Sequence, residues 1–308
     1  MSKLVRNLLL FAVALVIAGG IIAGAGAILG GVKSIAFTAN GPVILGSDSS
    51  DSTKVDESYK DITEVYINLD IGEVKLVEGD SFSLKGSYNP SLIDFKATEK
   101  DGVLTIRGKE IRTGFWGLGW NWGFNARNDS TLTLTYPKGT QFESVDITLA
   151  LGNLESMTLS ADSLKVKLSL GNFTGRNITV DSIVADLDLG NCTISDFTVT
   201  KQAEITLDAG SLSLKNSSIN NLTAKNSLGD LDYSGVLTGT AKCDLDLGSL
   251  KMDLDSMESE LSYKIKTDLG SVTVNGRNQS SSVSNTAASP KCTLDISLAL
   301  GSVTLKTR

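Results

Sequence analysis

Between Val145 and Leu254 apolar and polar residues alternate, stop at a glycine and begin again, six times over. Aligned on that glycine, the segments read ITLALGNL, VKLSLGNF, ADLDLGNC, ITLDAGSL, AKNSLGDL and CDLDLGSL. Gly152, Gly171, Gly190, Gly210, Gly229 and Gly248 follow one another at steps of 19, 19, 20, 19 and 19 residues. Self-similarity at this period predicts a solenoid, in which each repeat is one coil that cannot bury its apolar face alone and so stacks on its neighbours. Outlying copies stand at Gly72 (NLDIGEV), Gly270 (KTDLGSV) and Gly301 (SLALGSV).

The columns of the alignment predict β-coils. Every residue five before the glycine is apolar, as in Ile147, Val166 and Ala185, and leucine holds the position three before it except at Asn226 and Thr267. The position one before is also apolar throughout: Ile71, Leu151, Leu170, Leu189, Ala209, Leu228, Leu247, Leu269 and Leu300. Apolar residues at every second position imply strands with one face inward, and this register assigns the residue before the glycine to that face. The inward set resumes two after the glycine, with Val74, Leu154, Phe173 and their equivalents, so the alternation slips by one across Gly-Asn, Gly-Ser, Gly-Asp or Gly-Glu. A slip of one residue beside a glycine predicts a corner or bulge. The predicted fold is therefore all-β, a single-stranded β-helix-like solenoid with coils of about 19–20 residues.

The rest of the chain is arranged around this array. Residues 33–61 are polar, with GSDSSDS at their centre, and read as a flexible linker between residue 32 and a repeat domain spanning 62–308. The step from Gly72 to Gly152 is 80 residues, close to four periods, which suggests degenerate coils carrying an insertion. That insertion, residues 110–130, holds all three tryptophans of the protein within GFWGLGWNWGF. After Gly270 a polar loop, residues 276–290, precedes the last strand pattern, CTLDISLALGSVTLKT. Read in chain order, that strand forms the open end of the stack, guarded by Lys306 and Arg308 or by a partner.

The N-terminus changes the picture from soluble to anchored. Residues 8–32 run for 25 positions without a charge, preceded by Lys3 and Arg6, which predicts a transmembrane helix after a cytoplasmic stretch, residues 1–7. The positive-inside rule then places the repeat domain outside the cytoplasm. A cleaved signal peptide is the competing reading, because Ala23-Gly24-Ala25 and Ala25-Gly26-Ala27 resemble cleavage sites. Gly20 with Gly24 and Gly26 with Gly30 form two G-x-x-x-G pairs, a helix-dimerising pattern. The net charge of -7 and pI near 4.8, without a basic stripe, argue against nucleic acid as a partner.

An apolar N-terminal span, a strand segment ending TLTLTYPKG, then VDITLALGNLE and its reiterated L-x-L-G-[NDS]-L copies resemble the bacterial putative-adhesin family, whose members carry a β-strand-repeat domain of unknown function. The likeness covers roughly residues 62–308. It implies a β-solenoid at a bacterial cell envelope and supplies no catalytic residues.

Candidate chemistry is sparse. The protein has no histidine, which removes Ser-His-Asp and Cys-His catalysis and His-ligated zinc. Cys192, Cys243 and Cys292 lack metal-site spacing and read as buried free thiols, and no cofactor is expected. Asp70, Asp188, Asp208, Asp246 and Asp268, two before the glycine, form an outward column, with Asp186 and Asp244 two residues further back. Stacked carboxylates could flank a glycosidic bond or hold calcium, yet Ser169, Ser227, Ala150 and Ala299 interrupt the column. The stronger ligand-binding candidates are Phe115, Trp116, Trp120, Trp122 and Phe124, because indoles stack on sugars and settle at membrane interfaces. Their alternative use is as a lid folded onto the coils. The sequence thus predicts a membrane-anchored, extracytoplasmic, non-enzymatic adhesion or interaction module whose partner is a cell-wall glycan or another envelope protein. A polysaccharide-active β-helix enzyme and a polymerising envelope scaffold are the alternatives.

Overall fold

The structure, a computed structural model, describes residues 35–38, 41–44, 52–90, 93–111 and 130–308. The expected transmembrane segment, residues 8–32, lies outside the described residues. Among the described residues no helix is long and apolar enough to cross a membrane. The chain divides into two compact units, Met1–Asp51 with Ile111–Asn128, and Ser52–Glu110 with Asp129–Arg308. Of the first unit, β1 (Ile35–Thr38) and β2 (Gly41–Ile44) are described, and they pair antiparallel.

The second unit is the solenoid. Its strands are β3 (Thr53–Ser58), β4 (Glu64–Ile71), β5 (Glu73–Gly79), β6 (Ser83–Tyr88), β7 (Ile93–Lys100), β8 (Val103–Glu110), β9 (Thr131–Pro137), β10 (Gln141–Leu151) and β11 (Leu154–Ser156). They continue with β12 (Leu159–Leu170), β13 (Phe173–Leu189), β14 (Cys192–Ala209), β15 (Leu212–Leu228), β16 (Leu231–Leu254), β17 (Leu261–Val274), β18 (Arg277–Gln279), β19 (Ser282–Asn285) and β20 (Cys292–Thr307). Strands of successive coils pair in parallel and in register, so Val145 faces Leu164, which faces Ile183, which faces Ala203.

One coil shows how the sequence makes the bend. Ile183, Ala185 and Leu187 point inward from one wall, Cys192 and Ile194 from a second after the corner at Gly190, and Phe197 and Val199 from a third, all at most 2% exposed. The second corner is Asp196 with φ of 54°, equivalent to Asn177 and Asn216 in the adjacent coils. Asparagine and aspartate tolerate this left-handed backbone better than other side chains with a Cβ. Seven inward side chains per coil give one continuous core along the stack.

The ends differ from the linear reading in three places. β10 pairs directly with β4, so Gly72 and Gly152 sit on neighbouring coils and the 80 residues between them are not four degenerate turns. The described strands of that stretch cap the stack: β8 covers β4 and β9 covers β5, with β7 antiparallel on β8 and β6 on β9, and β3 adds antiparallel to β6. At the other end β20 lies between β16 and β17, hydrogen-bonded in parallel on both sides. The C-terminal strand is therefore interior, and β17 is shielded by the short, polar β18 and β19. A strand as apolar on its inner face as β20 gains more from two neighbours than from one, and the polar hairpin strands blunt the edge instead. Finally, the expected linker over 33–61 contains β1, β2 and β3, and the solenoid begins by Thr53, because Val55 is buried against the cap.

Candidate functional site

The glycine corner is the feature that every coil repeats. Gly190 has φ of 149°, and a Cβ placed there would lie 1.7 Å from the carbonyl oxygen of Gly171. Only a residue without a side chain lets the coils approach this closely. Immediately after the glycine runs a polar ladder. The Asn153 side-chain oxygen accepts from the Asn172 backbone N–H at 2.9 Å, and that of Asn172 accepts from the Asn191 backbone N–H at 3.0 Å. The ladder continues through Ser211, which donates its backbone N–H to Asn191, and Ser249, which donates to Asp230.

Immediately before the glycine the structure overturns the sequence register. Leu151, Leu170, Leu189, Leu228, Leu247, Leu269 and Leu300 are all exposed, from 44% at Leu151 to 66% at Leu269. The cause is the side chain three before the glycine, which already fills the space beneath the corner: Leu298 lies 3.4 Å from where a Cβ of Gly301 would stand. The residue one before is thus turned outward although simple alternation puts it inside. In stack order the column reads Ile71, Leu151, Leu170, Leu189, Ala209, Leu228, Leu247, Leu300, Leu269, each in register with the next.

Two of the three-before positions are polar and buried. Asn226 donates to the Gly210 carbonyl at 3.0 Å, while its side-chain oxygen and the Thr267 hydroxyl have no hydrogen-bond partner.

The aspartates do lie on one outward face, but as members of a mixed-charge surface. Lys165 pairs with Asp146 at 3.3 Å, Lys242 with Asp244 at 3.2 Å and Lys266 with Asp268 at 3.0 Å. Asp70 accepts the Glu110 backbone N–H at 2.8 Å. Where Ser297 and Ala299 leave room, Asp244, Asp246, Lys266 and Asp268 border an open depression of 230 Å³. A second depression, 350 Å³, lies by the corner at Glu73, Lys75, Asn153 and Glu155, with Lys75 and Glu155 paired at 2.9 Å. Among the described residues no three His, Cys, Asp or Glu side chains converge as metal ligands. Cys192, Cys243 and Cys292 are free and buried; burial pushes the Cys192 thiol up to about 12 and that of Cys292 up to about 11.

Phe115, Trp116, Trp120, Trp122 and Phe124 lie outside the described residues. Their attachment is described: the chain leaves β8 at Glu110 and re-enters at β9, beside the strands β4 and β5 that meet at Gly72.

The family model for Toastrack DUF4097 matches residues 62–306. The chain belongs to this family. No curated protein sequence matches the Toastrack chain. Among solved structures, a putative adhesin from Bacteroides fragilis NCTC 9343 is similar at 14% identity and a TM-score of 0.46, covering 84% of this chain and 98% of its own. A putative cell adhesion protein from Clostridium sporogenes ATCC 15579 has 10% identity and a TM-score of 0.26, with 83% and 100% covered. A putative lipid binding protein from Parabacteroides distasonis ATCC 8503 has 12% identity and a TM-score of 0.32, with 84% and 98% covered.

What the sequence concealed in this Toastrack domain is the outward leucine column. A usable signal was present in the glycine: invariant across nine copies, it implies coils in backbone contact and hence a corner with no interior left for its neighbour.

Proposed function

We propose that this chain is a membrane-tethered, extracytoplasmic Toastrack domain that acts by presenting surface, as a non-enzymatic adhesion or interaction module of the cell envelope. The observation that carries this reading is the openness of the outward faces. Corners are tight, the two depressions described above are open, with Lys75 paired to Glu155 in one and Lys266 to Asp268 in the other, and no loop of the coils from Gly152 to Gly248 rises to wall a cleft. A glycosidase needs an acid enclosed in a desolvated pocket, whereas Asp246 and Asp268 are both exposed. The uncharged residues 8–32 after Lys3 and Arg6 support the tether, and the family resemblance supports the envelope setting. Binding of a cell-wall glycan or an envelope protein is assigned to the segment holding Trp116, Trp120 and Trp122, which gathers all three tryptophans of the protein and so the side chains best suited to stack on a sugar ring.

Two measurements test this. A reporter fused after Arg308 is expected to be active only outside the cytoplasm, with the protein retained in alkali-washed membranes. Replacing Trp116, Trp120 and Trp122 together by alanine is expected to abolish binding of the full-length chain to cell-wall glycan while its melting temperature holds. A cytoplasmically active reporter sinks the topology. Glycan cleavage that disappears in Asp246→Asn or Asp268→Asn supports the enzyme reading instead.

A further inference from the structure

A column of aliphatic side chains, in register over nine coils and water-exposed at the seven leucines, is unusual on an isolated solenoid. At about 4.8 Å per coil it runs roughly 38 Å, and with its flanking columns, four positions or about 13 Å wide in all, it covers on the order of 500 Å². That lies just under the roughly 600–1,000 Å² that each partner contributes to a stable specific interface, the size of a weak, reversible pair. We propose that this column is a self-association surface: two copies of this chain pack with their leucine columns parallel, about a two-fold axis that runs along the stack.

The flanks select this occupant and this orientation. One flank is the position two before the glycine and the other is the position just after it. A two-fold axis parallel to the column places the first flank of one copy against the second flank of its partner, coil by coil. Asp188 then meets Asn191, Asp208 meets Ser211 and Asp268 meets Ser271, a carboxylate opposite a side chain that can donate in each case. On the coil where the residue after the glycine is itself acidic, Asp230, the opposing position is Ser227. Full antiparallel overlap instead sets Asp208 against Asp208 and Asp70 against Asp268, carboxylates with no donor opposite, which like charges oppose. The Gly72 coil alone would bring Asp70 to Glu73, and there the carboxylate of Asp70 is already held by the Glu110 N–H of its own cap.

Other occupants fit less well. An anionic lipid surface would be repelled by the same aspartate flank. An added strand finds no purchase on these coils, because their backbone groups are spent on the neighbouring coils. The parallel arrangement also brings both copies of β3, where the chain enters the cap, to the same end of the pair. That last point rests on the proposed tether, since two chains anchored in one membrane must start from the same end; the flank argument does not.

Cysteine cross-linking of the full-length chain, in isolated membranes and in detergent, decides the matter whatever the topology proves to be. Leu170→Cys and Leu300→Cys sit towards opposite ends of the column, and the three native cysteines are buried. With a short bismaleimide, each variant is expected to form homodimers at least tenfold above Thr174→Cys, an exposed position on the adjoining wall. Co-expressed, differently tagged Leu170→Cys and Leu300→Cys chains are expected to give like-with-like products only. Light scattering is expected to turn from dimer to monomer in Leu189→Asp with Leu228→Asp, with melting shifted by no more than a few degrees. Mixed Leu170–Leu300 products mean an antiparallel pair and overturn the orientation. Cross-linking no better than the control overturns the proposal, whether the column reacts freely with maleimide, is protected by added lipid vesicles, or is shielded by another segment of the chain.

Discussion

Leu187 and Leu189 stand two residues apart on one strand, and alternation gives them the same face, yet the first is fully buried and the second 51% exposed. The corner separates them. Leu187→Ala removes buried methyl groups from a core with no room to collapse and is expected to cost about 2–5 kcal/mol, whereas Leu189→Ala, measured on the dilute monomer, is expected to stay within about 0.5 kcal/mol. Urea denaturation of the two variants reads the difference, and equal losses would restore the register that alternation implies. Glycine shows the same geometry from the other side. Gly190→Ala would drive a methyl group into the Gly171 carbonyl at 1.7 Å, so the variant is expected to lose more than about 4 kcal/mol or fail to fold. Gly139→Ala is the control: its φ of 76° is strained for alanine, but nothing lies within 4 Å, and the expected loss is about 1 kcal/mol. Soluble yield and melting temperature distinguish the two.

At the scale of strands and coils, the alignment columns were legible because burial follows chemistry: the five-before, three-before and two-after positions are the core, as their apolar identity demands. The asparagine that follows Gly152, Gly171 and Gly190 carried a message that spacing alone did not reveal, since its use lies in the neighbouring coil. Asn172 accepts from the backbone and side-chain N–H groups of Asn191 and donates to Asn153 at 3.0 Å. Asn172→Ala leaves that backbone N–H to water and is expected to cost about 1–2 kcal/mol, with Asn172→Asp, which keeps the acceptor, losing less in the same melt. The strand order at the ends was not legible. β17 and β20 carry nearly the same motif, and nothing local in KTDLGSV or SLALGSV says which one lies against β16; the polar hairpin β18 and β19, which can cover only an edge, decides it. Likewise the step of 80 residues from Gly72 to Gly152 fits four coils arithmetically, and only the pairing of β4 with β10 shows that the chain departs to build a cap and returns. The candidate site divides in the same way. Its aspartates were placed on the outer face by alternation, while its leucines were misplaced because the same alternation was carried one residue too far into the corner.

At the scale of the whole molecule, a stack of coils has no independent centre, and a group buried in one coil is linked to the folding of its neighbours. The three thiols make this measurable through pH. Burial pushes Cys192 from its ordinary value of 9.0 up to about 12 and Cys292 up to about 11, and raises Cys243 as well. Tyr263 is pushed up to about 12, and burial also raises Tyr136 and Tyr233, whose hydroxyls donate to the backbone carbonyls of Thr158 and Val236. The sign follows from proton counting. These groups hold their protons more tightly folded than unfolded, so the stability they confer is complete below pH 9 and is lost as the unfolded chain ionises above it. Each thiol is expected to withdraw roughly 1.4 kcal/mol by pH 10, and the loss should steepen as the tyrosines join in. Thermal melts between pH 7 and pH 11 should therefore be flat at first and then fall, and replacing Cys192, Cys243 and Cys292 together by alanine should start from a lower plateau but fall less steeply between pH 9 and pH 10. If both proteins decline in parallel, the thiols are not protonated core residues, and the alkaline lability belongs to the tyrosines and to the repulsion of a chain that already carries a charge of -7.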